Sequence, residues 1–190
     1  MTVPVDAAAL VPPEELPRLV LVAMGSEAEL VTLQASAAPR LALLTGLALR
    51  EISSPRDPDR SLAALLDAPV QAAQPLGWLA PLSLDPGLAL SAGGSWAAAL
   101  GAWRQPTLLL VDGHRPASGL AAAATALLRQ EGVPLLGLIQ WHGAWNSQER
   151  QLDGLPWLGW LGDAPAADPA AQEAAAALLP ALRLRWQQRD

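Results

Sequence analysis

The chain has 190 residues, 52% of them hydrophobic, and a formal charge of −6 at pH 7. That length suffices for one well-buried domain, and the acidic balance excludes the basic footprint of a nucleic-acid binder or a polybasic membrane anchor. Cysteine is absent, which excludes disulfides, thiolate nucleophiles and thiolate metal sites together.

Residues 1–18 have an apolar run broken by prolines and no basic n-region, so the expectation is an N-terminal arm and not a signal peptide. No stretch reaches the eighteen clean apolar residues of a membrane span, and the expectation is a soluble cytoplasmic protein. The first strand is residues 19–23 (LVLVA), bounded by Pro17 and Gly25. Ser26 then caps a helix with Glu27 and Glu29 in its first turn, where acids complement the dipole, and Pro39 is expected to end that helix. A second strand follows at residues 41–44 (LALL), closed by Thr45 and Gly46.

SSPRDPD at residues 53–59 is a loop by composition, followed by a helix over 61–66. Residues 74–94 carry proline at 75, 81 and 86, which argues against a continuous helix or an inner strand and predicts a long ordered loop. The second half is more regular, with a helix over 95–103 and a buried strand at 107–111 (TLLLV) that ends in Asp112, Gly113 and His114. An alanine-rich helix spans 118–130 with Gly132 as its C′ residue, and a second buried strand occupies 135–141 (LLGLIQW). LPWLGWLG at 155–162 supplies a last short strand. After a loop at 163–169 a closing helix ends near Arg183, Arg185 and Arg189, with Pro180 expected to kink or divide it. Strands alternating with helices predict a single α/β domain over 1–190, its sheet mainly parallel and flanked by helices in three layers.

From Trp96 to Trp141 the order is helix, PTLLLV strand, loop, helix, GVPLLGLIQ strand, and LPWLGWLG follows. This resembles the C-terminal half of dethiobiotin synthetase and of its cobyric-acid-synthase and MinD/ParA-type relatives among the P-loop ATPases, over roughly residues 74–162. The resemblance implies a P-loop-NTPase-like (Rossmannoid) fold. The parts that carry that family's chemistry are missing. All twelve basic side chains are arginine, and an arginine fork does not simply replace the compact ammonium of a P-loop lysine. Base composition contributes to the gap, since Phe, Tyr and Lys are all absent while Ala, Leu, Gly, Pro and Arg abound, but a catalytic lysine resists such drift. Where the family carries a glycine-rich loop ending in Gly-Lys-Thr, this chain has Met24, Gly25, Ser26 and Glu27. One glycine builds no backbone cradle, and Glu27 sets a negative charge where phosphate would sit. Residues 41–46 (LALLTG) stand where the family's second strand resembles KPIQTG, again without the lysine. The resemblance therefore implies a degenerate relative that does not bind ATP with Mg²⁺ and needs no cofactor.

Asp112, His114 and His142 are the catalytic candidates, because each follows the carboxyl end of a predicted strand, where open α/β sheets bind ligands. Converging imidazoles and a carboxylate would give a general base or a weak metal site. The competing explanation is ordinary loop chemistry, and no metal ligand set is assigned. The two strands are expected to be adjacent and parallel, whereas the imidazoles are expected not to converge, since Trp141 and Trp145 flank His142 and claim the crevice for packing. Four of eight tryptophans, Trp141, Trp145, Trp157 and Trp160, lie within twenty residues. They are either an interface or, in a chain without Phe or Tyr, the core's aromatic filling, which is favoured. Ser91, Gly93, Gly94 and Ser95 fit a helix N-terminus capped by Ser95 better than a phosphate loop; Arg104 and Arg115 are candidate anion contacts against a background of nonspecific surface arginines. Three functional classes remain: a non-catalytic protein that binds a small ligand or a protein partner, an enzyme using Asp112, His114 and His142, or a structural subunit pairing with an intact homologue or with itself.

Overall fold

A computed structural model of the chain describes residues 17–67, 77–114, 119–162 and 169–188. In order they form β1 (Arg18–Val22), α1 (Glu27–Thr45), β2 (Ala48–Leu49), α2 (Pro58–Asp67), β3 (Trp78–Pro81), α3 (Trp96–Ala102), β4 (Thr107–Asp112), α4 (Leu120–Gln130), β5 (Leu135–Trp141), α5 (Ser147–Leu152), β6 (Trp157–Leu161) and α6 (Pro169–Gln187). The strands make one six-stranded sheet in the order β2-β3-β1-β4-β5-β6, and every pairing in it is parallel.

Strands buried on both faces read as continuous apolar runs, and successive side chains of β1 divide between two cores. Leu19, Leu21 and Ala23 join α1 and α6 through Leu30, Leu41, Leu178 and Leu182. Val20 and Val22 join α2, α3 and α4 through Leu62, Trp96, Leu100 and Leu128. The result is the expected three-layer, Rossmann-like α/β arrangement. No helix among the described residues is long and apolar enough to cross a membrane.

Three expectations are corrected. Residues 41–44 are not a strand: α1 runs through Pro39 to Thr45, and Gly46 at φ 71° forms its left-handed C-cap. Leu41 and Ala42 are buried while Leu43 and Leu44 face outward, a helical pattern that a four-residue apolar run does not reveal. The LALLTG segment is thus a helix end, with the second strand beginning at Ala48. Nor is 74–94 a loop throughout, since β3 pairs with β1 and β2 inside the sheet. Pro81 is tolerated because Trp78 and Leu82 donate toward β1, so by alternation Pro81 faces the β2 side, beyond Leu49 where that strand has ended. Finally, of the two outcomes expected at Pro180, division is the one overturned, since α6 is one helix from Pro169 to Gln187. The short helix α5 has no counterpart in the sequence-based assignment, and the expectations for 1–16, 115–118 and 163–168 lie outside the described residues.

Candidate functional site

Two strand-end regions differ in what fills them. Helix α1 leaves β1 on one face of the sheet and α3 leaves β3 on the other. The neighbours β1 and β3 are therefore a topological switch point, and so are β1 and β4, since α4 packs on the same face as α3; a ligand crevice is expected beside β1. Here the protein's own groups occupy it. Only residues 23–26 separate β1 from α1. The Ser26 hydroxyl receives the Glu29 N–H at 3.4 Å while Glu29 Oε2 accepts from the Ser26 N–H at 2.8 Å, a complete capping box. The Gly25 N–H donates to Asp85 Oδ2 at 3.1 Å. Beneath this turn the buried Gln34 amide donates to Leu21 O at 3.1 Å and to Leu82 O at 3.4 Å, bridging the ends of β1 and β3.

Beyond β4 and β5 the chain leaves space. A cleft of about 590 Å³ opens between α1, which contributes Glu29, Thr32, Leu33 and Ser36, and the strand ends, which contribute Asp112, His114, Trp141 and His142. Asp112 ↔ Trp141 is the last register pair of β4 and β5, so the adjacency of these strands holds. The expectation that the imidazoles stay apart does not. The His114 and His142 ring centroids lie 5.3 Å apart, edge to face. Asp112 Oδ1 accepts from the His114 N–H at 2.9 Å and lies 3.5 Å from Nδ1.

Glycine is the physical reason for this convergence. A Cβ on Gly113 would sit 2.3 Å from His142 O, and one on Gly143, at φ 64°, would sit 2.2 Å from Gly113 O. The two turns touch through bare backbone, which draws their side chains together. His142 itself adopts φ 56°, and its ring lies on the Trp141 indole at 4.2 Å. Trp141 thus becomes the imidazole's floor instead of displacing it.

The tryptophans divide between roles. Trp141 and Trp160 are core residues at 1% and 9% exposure. Trp145 and Trp157 are half-buried and pack edge to face at 6.1 Å, with Arg150 over the Trp157 ring at 4.4 Å. They fit neither extreme considered from sequence.

Ser95 caps α3 by accepting from the Ala98 N–H, as expected, and Arg104 is an exposed residue just beyond that helix. Arg115 lies outside the described residues. Among the described residues no three His, Cys, Asp or Glu side chains are placed to hold a metal ion. Sequence reasoning missed Asp85, Glu29 in its capping role, and Gln140, a fully buried amide in β5. A lone glutamine inside the apolar run LLGLIQW was the available signal. In comparison with known proteins, no family model matches the chain and no curated sequence matches it.

Proposed function

We propose that this chain is a non-catalytic, P-loop-NTPase-like binding protein of the cytoplasm that has lost nucleotide hydrolysis and takes a small ligand in the cleft outside β4 and β5. The observation carrying this reading is the closure of the α1 N-terminus by Ser26, Glu29 and Asp85. Helix N-termini attract anions through free N–H groups and the dipole, and here carboxylates of the chain accept from the Gly25 and Ser26 N–H groups that lead into α1, while the Ser26 hydroxyl accepts from the Glu29 N–H. Phosphate would have to displace like charge, with neither a lysine nor a glycine cradle to compensate. The β4/β5 cleft, by contrast, offers an indole floor, hydroxyls and two imidazoles, a mixture of apolar wall and convergent polar groups suited to a small molecule.

Calorimetric titration of ATP with Mg²⁺ tests the loss directly. A dissociation constant below about 10 μM, roughly −7 kcal/mol, would overturn it. A fragment screen read by imidazole, indole and backbone-amide NMR signals tests the cleft, the expected outcome being shifts at His114, His142 and Trp141 without a shift at the Gly25 amide.

The imidazole convergence specifically favours a second reading, acid–base catalysis with His114 oriented by Asp112 and His142 as its partner. It predicts turnover of some cleft ligand that is abolished by His114→Ala. A ligand that binds and leaves unchanged supports the binding protein.

A further inference from the structure

We infer that Gln140 and Trp160 are positioning residues for the imidazole pair, and that Arg150 on α5 sets their grip. The inference rests on the reading that the β4/β5 cleft is the working site. His142 occupies the left-handed region, which a residue bearing a Cβ enters at a cost and keeps only where its surroundings over-determine it. Here three successive carbonyls are tied down by two side chains. Gln140 Nε2 donates to His142 O at 2.9 Å and to Ala144 O at 3.0 Å. Trp160 Nε1 donates to His142 O at 3.0 Å and to Gly143 O at 3.1 Å. The His142 N–H donates to Leu161 O at 3.0 Å, so β5 and β6 both hold the turn.

An amide presents donors from one end only. Reversed, Gln140 would set its own oxygen against the His142 and Ala144 carbonyls, and the turn would lose two bonds. Arg150 decides the orientation: its Nε and Nη2 donate together to Gln140 Oε1 at 3.1 and 2.9 Å. Arg150 is placed in turn by the Trp157 ring at 4.4 Å and by Asp153 Oδ2 at 3.6 Å, while the Trp157 Nε1–H donates to Asp153 Oδ2 at 2.8 Å. Helix α5 buries none of its residues. A surface helix therefore reaches, through one guanidinium and one buried amide, the backbone that aims His142 at His114.

The test is NMR on the full chain without ligand. In the parent, the ring protons of His114 and His142 cross-relax, and the His142 ring carries the current shift of the Trp141 indole. Arg150→Met keeps the stem over Trp157 and removes the donors; Trp160→Phe keeps an aromatic ring and removes the Nε1–H. The expected result in each is loss of the inter-ring contact and movement of the His142 signals toward unstacked values. Arg150→Lys, which keeps the charge but not the paired fork, is expected to show the same loss if the methionine variant does not fold. Ser95→Ala, a cap deletion in α3 away from the turn, lowers stability and is expected to leave both signatures intact. Inter-ring contact unchanged in folded Arg150 and Trp160 variants overturns the inference, as does an equal loss in Ser95→Ala. Because no ligand enters the measurement, a cleft that never binds anything would sink the functional reading while leaving the positioning role standing.

Discussion

The β1 end and the β4/β5 end of the sheet receive the same kind of loop but hold opposite contents. At the β1 end, α1 begins directly after the turn, where Asp85 and Glu29 accept from the Gly25 and Ser26 N–H groups and Ser26 caps the Glu29 N–H. At the other end, two turns meet through Gly113 and Gly143, and a cleft remains between them and the flank of α1. The lesson is that topology favours a crevice beside β1 without keeping it open. A crevice at the switch point is a consequence of strand order, whereas its vacancy depends on which side chains the chain itself sends there.

Substitution of the two glycines should break this contrast most severely. Gly143→Ala forces a Cβ to 2.2 Å from Gly113 O at φ 64°, combining backbone strain with a clash that no rotamer relieves; a loss of about 3 kcal/mol is expected. Urea denaturation measures it, and a loss within experimental error would mean that the two turns do not touch.

Next in size are Trp145 and Trp157. As a half-buried edge-to-face pair, each should cost about 2 kcal/mol on change to Ala, below the core value for tryptophan. Analytical ultracentrifugation of the same variants separates packing from association: a dimer that disappears while stability is kept would reassign the pair to an interface.

At the closed end, Ser26→Ala removes half of the capping box and should cost about 1 kcal/mol. Urea denaturation checks it. Asp85→Ala is expected to have the smallest effect on function. Removing the carboxylate from the Gly25 N–H exposes one donor, yet without a lysine or a cradle ATP with Mg²⁺ should still not bind, as calorimetry would show. Tight nucleotide binding by this variant would mean that Asp85 alone closes the site.

The second half of the fold was legible because its elements are locally consistent. TLLLV and LLGLIQW are long apolar runs bounded by turn residues, and the alanine-rich segment between them has no competing pattern. The first half misled at LALL and at Pro81 for reasons that lie outside those residues. Four apolar residues fit a strand as well as a buried helix end, and only the placement of Leu41 and Ala42 against β1 and β3 decides between them. A proline is excluded from an inner strand only if a neighbour requires its N–H, and β2 stops at Leu49 ↔ Leu79, two pairs short of Pro81.

By itself the sequence determined the layered parallel α/β class, the caps at Ser26 and Ser95, the absence of lysine, and the candidates Asp112, His114 and His142. These follow from periodicity, end chemistry and residue identity, all local or compositional quantities. Tertiary structure alone decided that the imidazoles meet, that Trp141 lies beneath one of them, and that Asp85 closes the β1 end. The first and the last depend on contacts between segments distant in the chain, whereas Trp141 and His142 are neighbours whose ring contact accompanies the left-handed backbone of His142. A sequence records that Gly113 and Gly143 lack a Cβ, but only the packed sheet gives that absence a neighbour.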